Sequence, residues 1–398
     1  MPCHHVVERL AKRHRVFYID NFGGIRDLTW SDCGRAFRKL RGVIGHKAHK
    51  GGVSENDVGR PEGSDPGEAL HPSPHAPRPA PVTVDRPLII PTPRTRMLQV
   101  LNGAILNRRI KRLVRAYGIE KPIIWTRLPI ELVWRAIEGV DRSLLLYQMI
   151  DKFPEHPKIA QGLRERHGYW ERWFSENADI VFASARGLWK EKKAVNPQSY
   201  FFPNGASEIF RKTTVPSGRS ESRRPVVGFA GAVGTSLDID WVGEIARRRP
   251  HYDFVLLGSV DPEVDVSFLL DLPNVRLEGR VEHESLPDWF GKFDAAFMAY
   301  RYNEYQRYTF PSKMAEYLLA GLPVVSNRLP EVEPYGNVVH VVDSPEEMAE
   351  ALDRAIGERH DEETASARRS VGDSLSWERI VAGMERVIDE AEAGGIET

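Results

Sequence analysis

Apolar residues along this chain recur at two alternating spacings. Val6, Val7, Leu10 and Ala11 fall at helical spacing, and residues 15–20 then read as a strand. A long helix is predicted over 97–117. At about 100° per residue, Arg108, Lys111, Arg112 and Arg115 share one face of it. Leu106, Ile110, Leu113, Val114 and Tyr117 share the other. From there strands and helices take turns. Residues 122–125, 144–150, 179–183 and 200–202 read as strands, with helices near 130–137, 159–177 and from Ala185 onward. The pattern pauses over 209–224 and restarts with strands at 225–230, 254–257, 275–277, 294–298 and 323–326. Helices are predicted at 312–320 and 377–391. Such alternation predicts parallel sheets, here an α/β chain of two Rossmann-like, doubly wound domains facing a cleft.

One stretch breaks the pattern. Seven prolines fall between Pro61 and Pro81, and no aromatic residue occurs between Phe37 and Tyr117. A segment this poor in apolar side chains cannot offset its own chain entropy, so 42–84 is expected to be a disordered insertion. The expected organisation is an N-terminal, acceptor-side domain of 1–41 and 85–206, a second domain of 207–375, and a closing helix in 376–398 that crosses back to the first.

Composition narrows the class. The chain has 398 residues, 55 Lys and Arg against 56 Asp and Glu, and a net charge of −1. That balance argues against a nucleic-acid coat. No apolar run is long enough for a transmembrane helix, and residues 1–10 are too polar for a signal peptide. The two cysteines, Cys3 and Cys33, support neither a disulfide scaffold nor a cysteine zinc site, and fit a cytoplasmic protein. Cys3, His4 and His5 are adjacent and point to different helix faces, so a metal site there is not expected.

In doubly wound sheets ligands bind beyond the carboxyl ends of strands. Asp151, Gly231, Gly234, Gly258, Gly279 and Arg301 occupy such positions. Glycines at 228, 231 and 234 let backbone amides approach a phosphate, although they do not form the dinucleotide fingerprint. That absence disfavours a Rossmann dehydrogenase. The densest signal is Arg301 to Val325. Pro311 suits the first turn of a helix, whose amino end attracts anions. Lys313 and Glu316 lie three residues apart on one face; taken alone they read equally well as a solvated ion pair.

The run Pro311-Ser312-Lys313-Met-Ala-Glu316-Tyr-Leu-Leu-Ala-Gly-Leu-Pro-Val-Val resembles the nucleotide-sugar segment of GT-B glycosyltransferases, closest to family four and related bacterial exopolysaccharide and cell-wall enzymes. Tyr147–Asp151, Ala178–Ser184, the Pro203-Asn204-Gly205 turn and the strands from Gly228 to Arg301 match that group in order. The resemblance implies a nucleotide-diphosphate sugar donor, with Glu316 on the ribose and Pro311, Ser312 and Lys313 near the pyrophosphate. Gly231 and Gly234 would face them across the cleft, and Gly258 and Arg280 would flank the base. Asp151 would face the donor sugar or acceptor, and with Glu316 is the candidate catalytic pair. The family's second glutamate, eight positions before the ribose glutamate, is replaced here by Tyr308. Its Arg and Lys pair after the first donor-domain strand is also missing, so phosphate charge would fall to Arg301, Arg307 and Lys313. No Asp-x-Asp motif occurs, and neither a metal nor another cofactor is expected.

In this family a strand and a Gly-rich loop precede the helix found at residues 2–11, so a truncated or mis-assigned start is expected. The basic helix, over 105–117, reads as a solvated face or as a contact with anionic membrane, and its apolar face as cover for the sheet. Tyr169, Trp170, Trp173 and Phe174 read as core or domain contact. The expected activity is transfer of a hexosyl group to a glycan or lipid-linked acceptor in bacterial surface polysaccharide synthesis, at the cytoplasmic face of the membrane. A non-catalytic nucleotide-sugar-binding relative and a GT-B epimerase stay open as alternatives.

Overall fold

The computed structural model describes residues 2–19, 82–85, 96–152, 161–214 and 223–394. Most of the expected insertion lies outside these residues. The chain divides into two compact units, one of residues 1–9, 118–130 and 141–398, the other of 10–117 and 131–140.

The larger unit holds two parallel sheets. The first runs in sequence order: β3 (Ile123–Thr126), β4 (Leu144–Met149), β5 (Ile180–Ala183) and β6 (Ser199–Phe201). Every residue of β4 and β5 is buried, as expected for strands covered on both faces. The second sheet has six strands: β7 (Val226–Ala230), β8 (Asp253–Leu257), β9 (Val275–Gly279), β10 (Ala295–Met298), β11 (Val324–Asn327) and β12 (His340–Val342). Their spatial order is β12-β11-β10-β7-β8-β9, all parallel. This is the dinucleotide-fold order, in which the chain reverses direction across the sheet between β7 and β10. Separate apolar clusters around Phe290, Met314 and Tyr317, and around Phe254, Ile245 and Leu352, bury this sheet.

Several helices of this unit were not read from the pattern: Ile239–Arg248, Leu286–Lys292, Pro345–Gly357 and Glu362–Ser374. Three of them start on side-chain caps, Asp238, Ser344 and Asp361, each accepting from a first-turn amide. The closing helix Trp377–Glu392 packs on the end of the first sheet. A Cβ on Gly205 would stand 2.8 Å from the Trp377 ring, and one on Gly383 would stand 2.7 Å from Phe202. Its start also meets the first helix, where His5 stacks on Trp377 at 5.6 Å.

The smaller unit corrects two expectations. The strand β2 (Thr83–Asp85) begins inside the expected 42–84 insertion and pairs in parallel with β1 (Phe17–Ile19). The helix Arg96–Ala116 turns its small-residue face to the helix Glu131–Ile137: a Cβ on Gly103 would overlap Arg135, and Asn107 donates to the carbonyls of Ala136 and Glu138. It meets the two-stranded sheet of its own unit through Arg109, bonded to Asp85. Its buried line is Asn102, Gly103 and Leu106, with small residues admitting the neighbour, and Tyr117 is largely exposed, with its ring edge on Phe17.

Candidate functional site

The reversal between β7 and β10 opens a crevice at the carboxyl ends of the second sheet. The turn after β7 is zipped to the turn after β8: Gly231 donates to Leu257, Val233 to Ser259 and Asp261 to Val233. Gly258 has φ +152° and sits so close that a Cβ there would lie 1.9 Å from the Gly231 carbonyl oxygen. Only glycine allows this approach. Gly234, in the turn after β7, faces Asp261 in the turn after β8.

The helix Ser312–Leu319 starts at this crevice. Pro311 stands at its cap rather than inside its first turn, and no side chain caps the end. Its N-terminal amides therefore keep their donor character. Lys313 reaches the glycine turn, its Cε 3.8 Å from where a Cβ of Gly231 would stand. Its Nζ lies 3.0 Å from Glu316 Oε2, and both side chains are largely buried. One turn further, Tyr317 accepts a hydrogen bond from the Ala230 amide at 2.7 Å, fastening the helix to the end of β7. Loss of solvent pushes the Tyr300 phenol far above its usual range, and the Glu316 carboxylate adds to that shift. Gly231, Gly258, Lys313 and Glu316 are thus brought together.

The predicted arginines are not drawn into this group. Arg301 pairs with Asp240 at 3.1 Å and Arg307 with Glu304 at 3.7 Å, all four exposed. Arg280 is exposed just past β9.

Asp151 follows β4 on the first sheet. It interacts with Tyr305 from the second half of the unit, and burial together with this carboxylate pushes the Tyr305 phenol well up. Beside it Tyr308 donates to Glu191 at 2.6 Å, while Lys152 pairs with Glu191 at 3.3 Å and lies 4.1 Å above the Tyr308 ring. Burial opposes both charges of that pair. The Tyr308 hydroxyl and Lys152 nevertheless hold the Glu191 carboxyl below its ordinary range, and Glu191 holds Lys152 above its own. A cleft of about 470 Å³ opens beside Lys152 and Glu191, walled by Arg164, Glu171, Arg172 and Lys192.

Pattern reading missed a second bridge. Glu331, in the turn after β11, is buried and accepts from the Gly187 amide at 3.1 Å, with Arg186 at 3.6 Å. The helix Arg186–Lys193 thus carries a carboxylate at its amino end, where its dipole favours one. Burial raises the Glu331 carboxyl despite these partners. Asn327 was also missed. It holds the turn after β10 through both backbone groups of Tyr300. The rule that polar residues beyond strand ends line the site would have found both. Among the described residues no three His, Cys, Asp or Glu side chains gather as metal ligands.

Comparison with known proteins bears on this arrangement. Residues 224–358 match the family model of group 1 glycosyl transferases. TuaH of Bacillus subtilis (strain 168), assigned as a teichuronic acid biosynthesis glycosyltransferase, is 31% identical over 216 residues, 51% of this chain and 54% of that protein. The chain therefore spans about half the length of this curated relative. Among solved structures, the sucrose-phosphate synthase of Thermosynechococcus elongatus superposes with a TM-score of 0.63 at 16% identity, over 96% of this chain and 100% of its own. The Anabaena protein HepE, solved with UDP and glucose, superposes with a TM-score of 0.55 at 15% identity, over 78% and 86%. The fold is GT-B, and the chain is related to glycosyltransferases of bacterial cell-wall and polysaccharide synthesis.

Proposed function

We propose that this chain, a GT-B relative of the group 1 glycosyltransferases, moves a hexosyl group from a nucleotide-diphosphate sugar to a glycan or lipid-linked acceptor in bacterial surface polysaccharide synthesis. The observation that carries the reading is the meeting of the Gly231–Gly258 turn with Lys313, Glu316 and the uncapped start of their helix. An anion there would meet backbone amides, a helix dipole and an ammonium. Glu316 would turn from Lys313 to the ribose hydroxyls, since a carboxylate accepts two hydrogen bonds. Lys313, so released, would move onto the diphosphate. Gly234, Ser312, Arg280, Arg301 and Arg307 would line the rest of the donor path.

In this reading the acceptor side comprises 1–41 and 85–206 and the donor side 207–375. Asp151, with Lys152 beside it, would face the reacting sugar from the acceptor side. Transfer would need no metal, the leaving diphosphate being stabilised by Lys313 and oriented amides. The work would take place at the cytoplasmic face of the membrane, with the basic helix in contact with it. The relative TuaH supports the polysaccharide context.

The test is to incubate the chain with sugar nucleotides and membrane-derived acceptor and follow nucleoside diphosphate release. Asp151→Asn should lower turnover about a hundredfold, the usual scale for a lost proton-transfer group. Release unchanged by that substitution would remove Asp151 from the reaction. One observation favours a second reading, a nucleotide-sugar-binding protein without turnover. Tyr308, at the family's second glutamate, is buried and committed to Glu191 and Lys152. Donor binding without transfer, hydrolysis or epimerisation would select it.

A further inference from the structure

A single helical turn, Glu304–Arg307, stands between β10 and the helix Ser312–Leu319. Asn303 caps it by accepting from the Gln306 amide at 2.9 Å, and Gln306 is buried. The Tyr305 carbonyl closes it, accepting from the Tyr308 amide at 3.1 Å and from the Thr309 hydroxyl at 2.9 Å. Tyr305 and Tyr308 are three residues apart and so fall on one side of the turn. They meet two consecutive residues of the loop after β4. Tyr305 is hydrogen-bonded to Asp151, and the Tyr308 ring lies 4.1 Å from the Lys152 ammonium.

The two contacts differ in kind. Lys152 is already paired with Glu191 at 3.3 Å, and Tyr308 commits its hydroxyl to that same Glu191. Tyr305 instead turns its hydroxyl on the candidate catalytic carboxylate. Burial and that carboxylate hold the Tyr305 phenol well above its usual range, so it keeps its proton and is the donor. A carboxylate offers about four acceptor positions, so one phenol can fix its orientation and leave the others open to a reacting group. Orientation matters here, because a displacement of about 1 Å in a reacting group can cost about a hundredfold in rate.

We infer that Tyr305 is a positioning residue for the transfer reaction, holding the Asp151 carboxylate of the first sheet in its working orientation from the loop after β10. The inference rests on the role given to Asp151 above. The same loop runs on into Pro311, Lys313 and Glu316, so the hold on Asp151 and the proposed donor site are carried by one segment.

The experiment follows nucleoside diphosphate release by the full chain with membrane-derived acceptor and the sugar nucleotide that the native chain turns over. It compares the native chain, Tyr305→Phe, Asp151→Asn and the double variant. Phe keeps the ring and removes only the hydroxyl, and thermal unfolding checks the fold of each protein. Tyr305→Phe should lower kcat at least about tenfold, the scale of a hydrogen bond to a charged group, with KM for the sugar nucleotide changed by less than about twofold. In the Asp151→Asn background the same change should lower kcat by no more than about twofold, because a group that acts through Asp151 has nothing left to orient. Tyr308→Phe alters the same turn but is bonded to Glu191, so its effect should be equal in both backgrounds. Native kcat in Tyr305→Phe, a loss confined to KM, or an equal loss in both backgrounds would overturn the inference and leave the proposed function standing. A native chain without turnover, or native turnover in Asp151→Asn, would remove the role it rests on, and the inference with it.

Discussion

Tyr308 donates its hydroxyl to Glu191 at 2.6 Å, joining the loop that leads into the helix Ser312–Leu319 to the helix Arg186–Lys193. A Cβ on Gly187 would lie 3.0 Å from the Tyr308 ring, so the tyrosine is seated directly on that helix. The loop after the second sheet's β10 is thus tied to a helix of the first sheet, at the position where the glycosyltransferases this sequence resembles carry a glutamate.

Tyr308→Phe should cost about 1.5 to 3 kcal/mol in urea unfolding, the scale of a hydrogen bond to a charged acceptor. Tyr308→Glu should cost more, because it sets a second carboxylate against Glu191. Adding Glu191→Gln to Tyr308→Glu should recover part of that loss. A double-mutant cycle with no coupling between the two positions would break this account of the contact.

Gly258→Ala should destabilise the chain by at least about 2 kcal/mol, because φ +152° excludes a side chain and the Gly231 carbonyl fills the space. Thermal unfolding measures it. Gly168→Ala is the control: nothing stands within 4 Å of its Cβ, and inside a helix alanine should stabilise by up to about 1 kcal/mol.

The raised Glu331 carboxyl makes a signed pH prediction. Its folded pKa lies above its unfolded value, so within that window the native state binds more protons than the unfolded one. Stability from this group is therefore greatest below the ordinary glutamate pKa and falls as pH rises through the folded value. Glu331→Gln keeps an acceptor for the Gly187 amide and removes the titration. Unfolding free energies from mildly acidic to neutral pH should fall more steeply for the native chain than for the variant. Parallel curves would show that the group is not shifted.

Much of the fold was legible because its strands announce themselves. β4, β8 and β10 are short apolar runs followed within three residues by Asp151, Gly258 and Arg301, β5 is another, followed by Ser184, and burial on both faces leaves no other use for such runs. The helices Pro345–Gly357 and Glu362–Ser374 were not read. Their glutamates and arginines dilute the apolar stripe, and Arg368 is buried there by bonding to the Gly321 carbonyl and Glu358. The helix Arg96–Ala116 was read correctly as a helix but not in its packing. Asn102 and Gly103 share its buried line with Leu106, and neither of those two is a hydrophobic signal.

At the site, local spacing placed Lys313 beside Glu316 and found the glycine turn. It could not show that the two meet, because that depends on β7 and β10 becoming neighbours through a crossover. Nor could it show that Arg301 is engaged by Asp240, or that Glu331 reaches Gly187 from 144 residues away.

The most direct measurement is calorimetric titration of the full chain with UDP, GDP, ADP, dTDP and CMP, with Glu316→Ala beside it. The account predicts that one nucleoside diphosphate binds, and that the substitution weakens it at least about tenfold, as expected for loss of a charged hydrogen-bond acceptor, while thermal unfolding still shows a folded protein. A folded native chain that binds none of them, or a variant that binds as tightly as the native chain, would contradict it.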